Sequence, residues 1–205
     1  METYLLYHNN PNPRLIERIA EIVREGGIII YPTDSVYAIG CDALNARAVE
    51  RIYHYRGQSE QKSPLSIICR DISQAAEYAK ISNAQFKLMK HHLPGPFTFI
   101  LEAGRKLPKV FTARKTLGVR IPDHSILHAL LEELDTPLLT ASLKQNSGNE
   151  ESEYMTDPTL IAEAFSHQAD VLIDGGYGED QPSTVVNLSE GEVEIIRQGV
   201  GILDY

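Results

Sequence analysis

Four stretches of this 205-residue chain end an apolar run in residues suited to holding a small polar ligand. "GIIIYPTDSVYAIGCD", residues 27–42, delivers Thr33, Asp34 and Ser35 straight after Pro32. "LGVRIPDH" carries Arg120 inside an alternating run and follows it with Pro122, Asp123 and His124. "LLTASLKQNSG" closes on Thr140, Ser142 and Lys144, and "GGYGEDQPSTVVNL" sets Ser183 and Thr184 behind a glycine-rich loop. Short hydroxyls and a carboxylate hydrogen-bond a substrate the size of an amino acid. Equally, Asp34 and Ser35 satisfy the backbone of a capped turn, and Ser183-Thr184 before two valines is ordinary strand sequence. Arg120 is more constrained, because an arginine facing inward from a strand is costly unless it is paired. Its place in "LGVRI" therefore predicts a side chain directed into a ligand cavity. Neither a Walker lysine motif nor GxGxxG occurs, so neither of those nucleotide cradles applies.

The elements that must position these residues alternate between helix and strand. Ile16, Ile19, Ala20 and Val23 recur at helical spacing after Pro13 and before Gly26-Gly27, which predicts a helix over 14–25. "IIIY" reads as a strand buried on both faces, and Val49, Ile52 and Tyr53 mark a helix over 45–56. Further strands fit "PLSIIC", "FTFILE", "LGVRI", "PLLTAS", "DVLID", "STVVNL" and "EIIR", with helices near 73–79, 83–92, 124–134 and 158–167. Asp157 caps the last of these and Pro158 takes its first position. The alternation predicts an α/β fold, a mixed and partly parallel sheet layered by helices. "KQNSGNEESEYMTDP", residues 144–158, lies between a strand and a helix and reads as a lid or surface loop.

Composition narrows the classes. A chain of 205 residues, 42% hydrophobic, suits one domain over 1–205. A net charge of −9 argues against coating nucleic acid or an anionic membrane over the whole surface. Cys41 and Cys69 follow apolar residues without metal-ligand spacing, so no metal site is expected and both read as reduced core thiols of a cytoplasmic protein. No apolar run approaches the roughly 20 residues of a membrane span.

Taken in order, "YPTDSVYAIGCD", "LPGPFTFIL", "GVRIPDH", "PSTVV" and "IIRQG" resemble the motifs of the threonylcarbamoyl-AMP synthase, or YrdC, family, over about residues 14–200. The resemblance implies a twisted open sheet around a deep concave cavity, and a nucleotidyltransferase that condenses L-threonine, bicarbonate and ATP to threonylcarbamoyl-AMP and pyrophosphate for tRNA modification. It implies ATP as a substrate, its Mg2+ carried by the phosphates, and no tightly bound cofactor. By position, Thr33 would contact threonine, Arg56 would sit in the basic KxR motif, and Arg120 would hold a carboxylate or phosphate. Ser142 would be the SxN serine, Ser183 would lie near the threonine, and Arg197 would approach the nucleotide. The chemistry asks mainly for positioning and charge neutralisation, which guanidinium groups suit.

Two motifs depart from the family pattern. His54-Tyr55-Arg56 stands where the family has Lys-x-Arg, and the stretched "RGQSEQKSPL" brings in Lys62 as a substitute cation. Ser142-Leu143-Lys144 replaces the SxN amide with a donor-only ammonium, which leaves Lys144 as a nucleotide contact. Both changes resemble the YciO branch. Arg56 at a helix end equally complements the helix dipole, and His54 reads as a surface helix residue. Arg105, Lys106, Lys109, Arg114 and Lys115 form a cationic run without an acid, a candidate surface for double-stranded RNA or tRNA and equally a solvated loop. A second expectation therefore stands beside the enzyme: a paralogue that binds double-stranded RNA or a nucleotide, with weak or different catalysis.

Overall fold

The computed structural model describes residues 1–55, 65–108, 115–144 and 154–204. Its centre is one eleven-stranded mixed sheet in the order β1-β9-β2-β3-β8-β4-β7-β6-β10-β11, with β5 pairing β6 beside it. In chain order the strands are β1 (Glu2–Leu5), β2 (Ile29–Tyr31), β3 (Ala38–Asp42), β4 (Ser66–Ile68), β5 (Ala79–Lys80), β6 (Phe97–Ala103), β7 (Thr116–Arg120), β8 (Leu138–Ser142), β9 (Val171–Asp174), β10 (Thr184–Asn187) and β11 (Glu194–Arg197). The helices among the described residues are α1 (Pro13–Arg24), α2 (Ala46–Tyr55), α3 (Ile72–Tyr78), α4 (Asn83–His92), α5 (Ser125–Leu134) and α6 (Pro158–Phe165).

Local chemistry sets the helix starts. Asn12 accepts the Arg14 N–H ahead of Pro13, Asp157 accepts the Thr159 N–H ahead of Pro158, and Ser82 with Gln85 forms a capping box. Each satisfies N–H groups that a helix start leaves without partners.

Strand alternation then divides the interior into two cores. Ile28 and Ile30 join the larger one, with Val49 and Ile52 of α2, Ala75 of α3, Met89 of α4 and Phe165 of α6. Ile29 and Tyr31 join the smaller one on the opposite face, beneath α1 and α5. This second core draws strand residues from β9, β2, β3, β8 and β4 and from none of β7, β6 or β10. The helical cover over that face therefore stops short. What lies beyond it is where Arg120 stands.

Three strands are not among those expected: β1, β3 and the two-residue β5, which takes Ala79 from the end of the expected helix 73–79. Ala38–Asp42 pairs on both sides, with β2 and with β8. β1 forms a parallel edge against β9, a pairing across some 170 residues that no local pattern signals. Cys41 and Cys69 are buried free thiols, and burial pushes Cys41 up to about 12. Among the described residues no helix is long and apolar enough to cross a membrane.

Candidate functional site

Arg120 closes β7, where Leu117, Val119 and Ile121 enter the larger core and Gly118 and Arg120 take the other face. On that face the register aligns Gly40, Thr140, Ser66 and Gly118 across β3, β8, β4 and β7. It is a floor of small and hydroxyl residues. A Cβ at Gly118 would lie 2.3 Å from the Ser66 hydroxyl, which would have to turn aside. A second line runs from Arg197 through Val185 to Thr98, over β11, β10 and β6.

The Arg120 guanidinium is almost fully buried. Its Nη2 donates to Asp34 Oδ1 and to Ser35 Oγ, each at 3.0 Å, and lies 3.5 Å from Thr33 Oγ1. The second Asp34 oxygen accepts the Asp123 N–H at 2.9 Å, so one carboxylate fastens the loop after β2 to the segment after β7. Thr33 is also a local turn former: its hydroxyl donates to the Val36 carbonyl and accepts the Ser35 N–H. A turn forms as expected, but Thr33 rather than Asp34 or Ser35 serves its backbone, and Asp34 and Ser35 grip the arginine instead. Burial lowers the Arg120 pKa, Asp34 opposes that shift, and the nearby charge of Arg197 adds to it.

Arg197 caps the other side. Its Nε and Nη2 donate to the Ser183 carbonyl at 3.2 and 2.8 Å, and Ser183 Oγ lies 2.8 Å from Thr98 Oγ1. Gly199 makes this junction possible, because a Cβ there would fall 2.0 Å from the Pro182 carbonyl oxygen. Thr184 turns away to the larger core, where its hydroxyl bonds the Gly201 carbonyl and the Gly199 N–H.

Three buried polar atoms in this region have no hydrogen-bond partner among the described residues: Arg120 Nε, Thr140 Oγ1 and Tyr31 OH. They are neighbours. Burial raises the Tyr31 phenol well above its ordinary range, while Thr140 and the Arg120 charge pull it down. Buried donors and acceptors left unmade cost about 1–3 kcal/mol each, and Tyr31 and Thr140 lie close enough to serve each other. The glycine-rich loop is tied in by Tyr37, whose hydroxyl donates to Gly176 O at 2.7 Å and accepts the Gly175 N–H. Burial carries Tyr37 up to about 12.

The structure brings Thr33, Arg120, Ser183 and Arg197 into one region. Ser142 ends β8 opposite Ala38, on the Thr140 side of that strand, and is half-buried. Lys144 bridges to Tyr154, with its ammonium 5.6 Å from the ring centre. His54 is exposed in the last turn of α2. Arg56, Lys62, Lys109 and Arg114 lie outside the described residues, as does most of the 144–158 loop. Arg105, Lys106 and Lys115 are exposed, and Lys106 is engaged by Glu77 at 2.9 Å. Sequence reasoning missed Tyr31, Tyr37 and Thr98. Their signal was polarity inside an apolar strand, or for Tyr37 just before one, which is too common to single them out.

Comparison with known proteins sets this geometry in context. The protein-family profile Sua5/YciO/YrdC, described as "Telomere recombination", matches residues 21–199. The Escherichia coli K12 uncharacterized protein YciO is 40% identical over 200 residues, covering 97% of this chain and 95% of its own. The crystal structure of E. coli YciO superposes with a TM-score of 0.90 at 38% identity over 98% of each chain. A putative threonylcarbamoyl-AMP synthase of Methanocaldococcus jannaschii is 31% identical, over 95% of this chain and 91% of that one. P. abyssi Sua5, crystallised with L-threonine, matches at TM-score 0.86 and 30% identity, covering 97% of this chain and 58% of that longer one.

Proposed function

The chain belongs to the Sua5/YciO/YrdC family, and from that premise we propose that it activates a carbamoylated amino acid as its AMP adduct. The substrates are L-threonine, bicarbonate and ATP. The threonine amine takes up bicarbonate with loss of water to give a carbamate. A carbamate oxygen then attacks the α-phosphorus, the bond to the β-phosphate oxygen breaks, and pyrophosphate leaves with Mg2+ on its oxygens.

The observation that carries the reading is the unpartnered Arg120 Nε, buried beside Thr140 and Tyr31 and within the electrostatic reach of Arg197. The Arg197 charge acts against that of Arg120, a smaller effect than the attraction of Asp34, and a further anion would relieve it. A carboxylate or phosphate supplies both the charge and the missing acceptor. Asp34 and Ser35 already occupy Nη2, which orients the remaining edge of the guanidinium before substrate arrives. Thr33, Ser183 and Thr98 add short hydroxyls for the amino-acid end, and Ser142 and Lys144 lie toward the strand end at which the nucleotide is expected. Arg56 and Lys62 are proposed as the further cations of the nucleotide site.

The test is pyrophosphate release from ATP with bicarbonate, with and without L-threonine, combined with mass analysis of the adenylate. Release that needs both threonine and bicarbonate, with the carbamoyl adenylate as product, is the expected result. ATP binding without any adduct would overturn it.

A second reading is favoured by the exposed Arg105 and Lys115 at the β6–β7 connection, which suit a phosphate backbone such as that of double-stranded RNA or tRNA. It predicts binding that weakens steeply with salt and with removal of these cations. The Lys106–Glu77 pair counts against it, since one cation of the run is already neutralised.

A further inference from the structure

Away from the Arg120 region, two histidines at the end of α4 converge on one carboxylate oxygen. Asp204 Oδ1 lies 2.9 Å from His92 Nε2 and 3.5 Å from His91 Nε2, and the three ligand atoms fall within 4.8 Å of one another. The His92 side chain is buried, its ring held edge-on by His91 at 4.9 Å and by Phe97 at 5.0 Å.

The hydrogen bonds around His92 settle its tautomer. Nδ1 sits 3.3 Å from the Leu88 carbonyl, a contact that requires a proton on Nδ1. The Asp204 backbone N–H donates to Nε2 at 3.2 Å, which requires a lone pair there. With Nδ1 protonated and Nε2 bare, the Asp204 carboxylate oxygen at 2.9 Å faces an electron pair with no proton between them. Protonating Nε2 would relieve this contact at the expense of the Asp204 N–H bond. A bound cation would take the same lone pair, releasing the Asp204 N–H while also satisfying the carboxylate oxygen.

We propose that His91, His92 and Asp204 bind one transition-metal dication of the zinc class. Two imidazole nitrogens and a carboxylate oxygen suit zinc, nickel or cobalt better than magnesium or calcium. An ion about 2.1 Å from Asp204 Oδ1 and from either Nε2 would see those nitrogen–oxygen separations at angles near 90° and about 110°, both within ordinary coordination geometry. The Leu88 carbonyl fixes the His92 ring from behind, the outer support that metal-bound histidines require. The consequence is a clamp. Asp204 belongs to a tail whose Leu203 packs against the larger core and whose Gly201 lies against Phe97, and α4 leads directly into the Pro94–Pro96 turn. That turn is bonded to Ile121 and Thr184, next to Arg120 and Ser183. The metal would fasten the tail to the structure that carries the substrate region.

The experiment is a zinc titration of chelator-treated protein by calorimetry, paired with thermal unfolding with and without zinc. One zinc per chain and a higher midpoint with zinc are expected. Asp204→Asn and His91→Ala change exposed side chains and leave the core intact. Each should weaken zinc binding by roughly ten- to a hundred-fold or more and abolish the zinc-dependent midpoint shift. Absence of saturable zinc binding, or binding that both variants retain unchanged, overturns the proposal.

Discussion

Arg120 Nη2 and Asp34 Oδ1 lie 3.0 Å apart with both side chains less than a tenth exposed. The pair joins two loops that sequence keeps 86 residues apart. Taking two charges out of water costs several kcal/mol each, and mutual attraction with added hydrogen bonds offsets that cost only while both partners remain. Asp34→Ala is therefore expected to destabilise by about 3–5 kcal/mol, read as the denaturant midpoint, because it leaves a buried guanidinium without its counter-charge. The double variant Asp34→Ala with Arg120→Met should recover much of that stability while forming no adduct. Equal stability losses in the single and double variants would mean that the two residues are not coupled.

Arg197 separates binding from folding more cleanly, since it is only half-buried and its partner is a carbonyl that water can serve. On the proposed chemistry, Arg197→Ala removes one charged contact to the nucleotide or adduct. Such a contact is worth about 1.5–3 kcal/mol, or roughly one to two powers of ten in kcat/KM for ATP. The thermal midpoint should move little. Unchanged kcat/KM would place Arg197 in support of the Ser183 turn alone.

Gly199 offers a steric test of the same junction. A methyl group there would meet the Pro182 carbonyl oxygen at 2.0 Å and the Ser183 carbonyl carbon at 2.6 Å, both backbone atoms with no flexible end to swing away. Gly199→Ala is expected to push the Arg197 strand off the Ser183 strand, with a loss of several kcal/mol in chemical unfolding. Limited proteolysis should then cut first between residues 182 and 204, because the tail depends on this contact.

These relationships were unequally legible in the sequence. Arg120 could be placed because "LGVRI" alternates, and an alternating strand leaves an arginine either in solvent or in a lined cavity. Thr33, Ser183 and Arg197 followed from motif order, and the mixed sheet followed from alternating periods. What stayed hidden was non-local. Tyr31 reads as one more apolar residue of a buried strand, yet its hydroxyl lies against Gly40 of the next strand. Asp34 looked like a turn cap, and only the folded chain brings Arg120 and the Asp123 N–H to its two oxygens. His92 and Asp204, 112 residues apart, share no pattern that a sequence window could register.

The pH dependence of stability rests on His124, at the start of α5. Its imidazole is buried, its Nδ1 has no hydrogen-bond partner among the described residues, and its ring lies 4.5 Å from that of His8. Burial, helped by the neighbouring charges of His8 and His128, lowers its pKa to about 4. In the unfolded chain the same group takes up a proton near pH 6.5, so between about pH 6.5 and pH 4 the unfolded state binds more protons than the folded one. Stability from this group is complete above that window and falls as pH drops through it, by about 3 kcal/mol across the whole range. Chemical unfolding at pH 7.5 and pH 5 measures most of the difference. His124→Gln should flatten the slope between those two values relative to the parent chain, because the amide does not titrate; a parallel pair of profiles would remove His124 as its source.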